Sequence, residues 1–120
     1  MSESSKNDCI FCKIIAGSVP REVVYEDEYT FAFPTNRPES PGHILVVPKH
    51  HCVNLFDCPP DILSRVMTTV QKLARNHKSV RIMQNNHAPL QTIFHLHFHI
   101  IPYDTEAPFF DYDRSAEVKK

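Results

Sequence analysis

The sequence predicts an α+β fold: one sheet of roughly five antiparallel strands, a long helix against it and a short helix near the N-terminus. Three features carry this expectation. The run HILVVP, His43 to Pro48, is continuously apolar, as suits a central strand covered on both faces. Ile62, Leu63, Val66, Met67, Val70 and Leu73 form an apolar stripe at helical spacing behind Pro59 and Pro60. The links between the other strand-like segments are too short for parallel crossovers, except across that helix, which leaves antiparallel pairing.

Taken in order, residues 1–8 are polar and are expected to be a disordered N-terminus. CIFCKIIAG has apolar residues at mixed helical spacing and Gly17 as a stop, so a short helix is expected near the cysteine pair. Val23–Tyr25 and Thr30–Phe33 are β-branched and aromatic runs either side of an acidic turn, a hairpin pattern. Pro34, Pro38, Pro41 and Gly42 mark an irregular loop before the central strand, which Pro48 stops. In the long helix Asp61 stands in the first turn and Arg75, His77 and Lys78 are expected in the last, each charge complementing the macrodipole. Val80–Gln84 and a long stretch from Thr92 to Pro102 complete the strands; the tail 103–120 is expected to be an ordered but irregular arm or a partner contact.

At 120 residues, one hydrophobic core is expected, with a single domain over 9–102. Thirteen basic residues against fourteen acidic ones give no field suited to wholesale binding of nucleic acid or acidic membrane, so any phosphate recognition must be local. No apolar run is long enough to span a bilayer, and the opening MSESSKND lacks the apolar core of a signal peptide. A cytoplasmic protein, with nuclear entry left open, is the expectation.

HLHFH, His95 to His99, places three histidines on one face of an extended segment and Leu96 and Phe98 on the other. Histidine serves metal ligation through a neutral ring nitrogen, and nucleophilic or acid–base work near pH 7. Same-face neighbours along a strand stand about 6.6–6.8 Å apart, too far to share one metal easily but suited to lining a substrate. His77 reads as a helix-end charge and His87 as a solvated loop residue.

The segment His95-Leu96-His97-Phe98-His99-Ile100-Ile101 resembles the histidine-triad motif of the HIT family, in which His alternates with apolar residues. CIFCKIIAGSVP, Ala32–Phe33, PGHILVVPKHH and QTIFHLHFHIIP match the family's other elements in order, over most of residues 9–102. The resemblance implies a nucleotide-binding sheet, and enzymes that hydrolyse or transfer nucleoside monophosphates through a covalent histidine intermediate. It implies His97 as nucleophile, His99 as the contact to phosphate or leaving group, and His43 as a fourth active-site histidine. Gln91 and Thr92 are implied as phosphate contacts, and Asn85 as a polar group near them. It also implies a homodimer joined through helices and sheet edges.

Cys9 and Cys12 form a C-x-x-C pair, which reads as half of a tetrahedral zinc site, a redox pair, or two structural thiols. Its place ahead of every strand disfavours a thioredoxin-like motif. One branch of the family carries zinc, and the resemblance implies Cys9, Cys12, His51 and His95 as ligands, a closed set whose role is structural. Strand alternation and the PKxH register favour His51 over His50; Cys52 is a weaker candidate.

The chain departs from the family pattern at three places. AFPTNRP puts Thr35, beside Asn36, where many relatives carry an aspartate that accepts from ribose hydroxyls. The loop NNHAPLQ lacks both usual glycines, and Tyr103 stands where a basic residue often follows. The leading expectation is a hydrolase of purine nucleoside monophosphate conjugates, resembling the small phosphoramidase-like branch. Hydrolysis of dinucleoside polyphosphates or nucleotidyl transfer is the neighbouring enzyme reading. A zinc-containing nucleotide-binding scaffold or sensor is the alternative of another class.

Overall fold

The computed structural model describes residues 8–104. The expectations for residues 1–7 and for the tail beyond 104 lie outside the described residues. In chain order the elements are α1 (Ile10–Ala16), β1 (Tyr25–Glu26), β2 (Thr30–Pro34), β3 (Ile44–Pro48), α2 (Pro60–Ala74), β4 (Val80–Met83) and β5 (Phe98–Pro102). The strands form one sheet in the order β1-β2-β3-β5-β4. Every pairing is antiparallel, so the expected α+β architecture holds.

β3 lies mid-sheet because both its faces are apolar. Val46 packs with Ala32, Phe98 and Ile100 on the α2 side, beneath Val66 and Val70. Leu45 and Val47 face the other way, with Phe31, Phe33 and the α1 residues Phe11 and Ile14. Each such fully buried Val, Leu or Phe side chain is worth about 1.5–3 kcal/mol. Among the described residues no helix is long and apolar enough to cross a membrane.

Several boundaries differ from the expectation, for identifiable reasons. The hairpin's first arm is β1 at Tyr25–Glu26, not Val23–Tyr25; the Asp27 carboxylate accepts from the Tyr29 and Thr30 N–H groups and sets the turn there. β4 stops at Met83, one residue short of Gln84. α2 ends at Ala74 with Arg75 as its cap, so His77 and Lys78 lie beyond the last turn. His77 pairs instead with Asp104, Nδ1 to Oδ2 at 2.6 Å. Met67, assigned to the buried stripe, is 39% exposed at its edge.

The largest correction concerns the histidine segment. The strand expected from Thr92 to Pro102 begins only at Phe98. Upstream, Pro48 has no N–H to offer, and its carbonyl accepts from His95 Nε2 at 2.9 Å, so a side chain takes the place a ladder bond would occupy. The alternation survives without the ladder: Leu96, Phe98 and Ile100 pack toward α2, while His97 and His99 line a cleft on the opposite face.

Candidate active site and metal centre

The cleft has a volume of about 600 Å³, within the range of small-ligand sites. His43, His97 and His99 line it together with Phe11, Phe33 and Arg21. Gly42, at φ +89°, turns the chain into β3 in a conformation a side chain would strain. The next residue, His43, is thereby delivered beside His99 on β5, with ring centroids 5.2 Å apart.

Hydrogen bonds to groups of fixed polarity settle the tautomers. His97 Nδ1 lies 2.8 Å from the His95 carbonyl oxygen. A carbonyl only accepts, so Nδ1 carries the proton and the lone pair is on Nε2. The Glu39 N–H donates to His43 Nδ1 at 3.0 Å, which leaves the His43 proton on Nε2, 3.0 Å from His99 Nδ1. His99 Nδ1 accepts that proton's hydrogen bond, and its own proton is on Nε2. The cleft therefore holds an imidazole with a free Nε2 lone pair next to one with an Nε2–H donor, ring centroids 5.3 Å apart.

All three rings are held neutral below the ordinary histidine range. Burial lowers His97, against the opposing bond to the His95 carbonyl. Burial likewise lowers His43, opposed by the Glu39 charge. Burial, with the neighbouring His97 and His43, pushes His99 down to about 4. A neutral imidazole keeps the lone pair that nucleophilic work requires.

Thr92 is exposed on the cleft wall, and Thr35, Asn36 and Asn85 line it as well. Gln91 behaves differently from the phosphate contact expected of it. It is buried, and its amide is fully engaged: Oε1 accepts from Asn54 Nδ2 and the His87 N–H, and Nε2 donates to the Val53 and Ile93 carbonyls. With both donors and both lone pairs committed, the side chain braces the 85–93 loop against the 53–58 loop. Gln91→Leu strands these partners, and is expected to lower unfolding free energy by about 2–4 kcal/mol, checked by urea denaturation.

Cys9, Cys12, His51 and His95 converge beside the cleft, their ligand atoms all within 4.8 Å of one another. Cys9 is the N-cap of α1, its Sγ accepting from the Cys12 N–H, so both thiols stand on one helical turn. Cys9 Sγ lies 3.2 Å from His95 Nδ1, and Cys12 Sγ lies 3.2 Å from His51 Nδ1 and 3.5 Å from His95 Nδ1. A tetrahedron with ordinary Zn–S and Zn–N bonds has edges of about 3.3–3.8 Å. The bond from His95 Nε2–H to Pro48 leaves the Nδ1 lone pair facing the sulfurs, the orientation a metal needs. The donor set therefore fits a metal of zinc's preferences.

His50 is exposed and stands outside this group; so does Cys52, buried in the α2-side core, where burial keeps its thiol protonated. Phe11 joins the two centres, its ring 5.8 Å from that of His95 and 5.1 Å from that of His97. Sequence reasoning missed Arg21, Arg37 and Glu39 on the cleft wall and Asn54 behind it. No local pattern marks them; they reach the site only through the tertiary fold.

A five-stranded open sheet bearing a histidine cluster in a ligand-sized cleft, with a Cys2His2 group alongside, defines a histidine-triad protein. The chain belongs to the HIT domain family, whose family model matches residues 16–106. It is 36% identical over 115 residues to adenosine 5'-monophosphoramidase HNT1 of Candida albicans, a match covering 87% of this chain and 76% of that protein. It is 37% identical over 108 residues to adenylylsulfatase HINT3 of Arabidopsis thaliana, covering 84% of this chain and 55% of that one. Among solved structures, a Zn-bound histidine triad family protein from Mycobacterium smegmatis superposes with a TM-score of 0.79 at 32% identity, covering 89% of this chain and 83% of that one.

Proposed function

We propose that the protein is a hydrolase of nucleoside 5'-monophosphate conjugates, with phosphoramidates as the preferred class, acting through a nucleotidyl intermediate on His97. The observation that carries this reading is the fixed tautomer of His97: its Nδ1–H is tied to the His95 carbonyl, and Nε2 keeps a lone pair on a ring lining the cleft. In the first step that lone pair forms a bond to phosphorus as the bond to the leaving amine breaks; the amine leaves with the electron pair and takes a proton from the medium. In the second, a water oxygen displaces His97 and the water's proton passes to the medium. One water is consumed, and a nucleoside monophosphate and an amine are released. His99 Nε2–H supplies a fixed donor to the phosphate oxygens, and His43 holds His99 in that tautomer.

Names of relatives favour the same class, one a phosphoramidase and another an adenylylsulfatase. The direct test is a single-turnover reaction with adenosine 5'-phosphoramidate quenched in alkali, where an N-phosphoryl histidine persists. One adenylyl group on the peptide bearing His97 is expected; turnover with no adduct, at times when it should accumulate, speaks against the covalent route.

The lowered histidine pKa values set a pH dependence. Protonation of His97 removes the attacking lone pair, so activity is lost as pH falls through its folded-state value, which lies below the ordinary 6.5. The acid limb of the kcat/KM profile is therefore expected to be centred below pH 6.5. An acid limb centred at or above 6.5 contradicts the neutral cluster.

Zinc, held by Cys9, Cys12, His51 and His95, acts as a staple between α1 and the histidine segment; a Cys2His2 set leaves no open position for chemistry. Association of two copies belongs to the same proposal. Ile82 on edge strand β4 is 41% exposed and Met67 on α2 is 39% exposed, apolar groups that an interface through helix and sheet edge would cover.

A further inference from the structure

Resting on the reading that a nucleoside 5'-phosphate sits with its phosphorus at His97, we infer that Arg21 and Arg37 hold a second phosphate, carried on the ribose. The substrates are then conjugates of nucleoside 2',5'- or 3',5'-bisphosphates rather than of simple nucleoside monophosphates.

The cleft wall leads from the nucleophile to these arginines. His97 packs on Phe11 with ring centroids 5.1 Å apart, Phe11 packs on Phe33 at 5.4 Å, and the Arg21 guanidinium carbon lies 5.0 Å above the Phe33 ring. With phosphorus at His97, a nucleoside laid along this aromatic wall extends toward the end of the cleft that residues 35–37 and Arg21 line, and the inference puts its ribose there. Arg21 Nη2 donates to the Pro34 carbonyl, which fixes the guanidinium beside Thr35. The Arg37 backbone N–H donates to Thr35 Oγ1 at 3.2 Å, which holds the main chain of residue 37 at this corner of the cleft. Both arginines line the cleft.

The polarity of that corner decides what fits it. Each hydroxyl of a bare ribose diol both donates and accepts, and the charged group that meets the two best is a carboxylate accepting from both. Glu39 is the carboxylate residue on this wall, and its charge acts on His43. Guanidinium groups only donate. Among the described residues the ion pairs are Lys49–Glu26 and His77–Asp104, so neither arginine is neutralised by a carboxylate. An acceptor-only dianion matches two such groups, and the fork of Arg21 suits two phosphate oxygens at once. Dinucleotide sites make the same exchange, an acid for the ribose hydroxyl and an arginine for the 2'-phosphate.

Calorimetric titration of the full chain with AMP, adenosine 2',5'-bisphosphate and adenosine 3',5'-bisphosphate tests this, at low and at moderate salt. One of the bisphosphates is expected to bind about 10-fold or more tightly than AMP, the value of one charge-assisted contact, with the gain shrinking as salt rises. In Arg21→Gln the ratio is expected to fall to within about 2-fold of one, while Arg21→Lys retains part of it. Equal affinity for AMP and both bisphosphates overturns the inference, as does a preference that survives Arg21→Gln in protein whose thermal midpoint is unchanged. Failure of all three nucleotides to bind overturns it together with the proposed function. A bisphosphate preference in a protein that cleaves no phosphoramidate sinks the hydrolase reading alone, and cleavage without the preference sinks only this inference.

Discussion

The His97→Ala variant is expected to lose kcat/KM for adenosine 5'-phosphoramidate by roughly 10⁴-fold or more, the order seen when a covalent catalyst loses its nucleophile. That corresponds to about 5.4 kcal/mol of transition-state stabilisation. AMP binding is expected to persist, because the imidazole contributes a bond-forming electron pair rather than the bulk of the cleft. His97 packs edge-on against Phe11 and is only half-buried, so its truncation leaves the fold intact. Rates and titrations on the same preparation separate the outcomes. Cleavage that continues at the wild-type rate removes His97 from the mechanism. Loss of cleavage together with loss of AMP binding points to a collapsed site instead.

The second large effect concerns the metal. Purified protein is expected to contain about one zinc per chain, and Cys12→Ser to lose it. At free zinc a thousandfold above Kd, the ligand contributes roughly 4 kcal/mol to folding, so the apparent melting point of the variant or of chelator-treated protein should fall by on the order of 10 °C or more. The cause is visible in the cluster. In the absence of metal, Cys9 and Cys12 tie α1 to His95 in the histidine segment and to His51 only through sulfur contacts of 3.2–3.5 Å, and sulfur is a weak hydrogen-bonding partner. Unchanged melting after complete zinc removal would falsify the staple. Refolding is also expected to require zinc for full recovery.

The pattern of residues made some of this legible and hid the rest. α2 was readable because Val66 and Val70 recur at the spacing of one buried face. Met67 was not, since periodicity locates the centre of a stripe and leaves its edge to the shape of the neighbouring sheet. β3 was readable from its unbroken apolar run, which both packed faces explain. The early end of β5 was hidden, because it depends on Pro48, 47 residues before His95, spending its carbonyl on a side chain. The four metal-ligand candidates were marked by residue type and motif, and the fold brings them together. Gln91 looked like a ligand contact because its partners Asn54 and Val53 lie 37 and 38 residues away in sequence. Arg21 carried no signal at all: its position over Phe33 and against Pro34 exists only once the β1–β2 turn has brought them together.

The group behind the proposed nucleophile is a main-chain carbonyl, the oxygen of residue 95. Many catalytic histidines are backed by a carboxylate, whose charge stabilises the imidazolium that forms. A neutral oxygen still orients the ring but gives far less to the positive charge it acquires once phosphorus is attached. In the proposed adduct the ring would consequently stay electron-poor, and an electron-poor ring is a good leaving group. On the proposed route, displacement of the ring by water is then easier than it would be with a carboxylate behind the imidazole. If His97 is the nucleophile proposed above, an uncharged support behind it favours regeneration of the free imidazole by water.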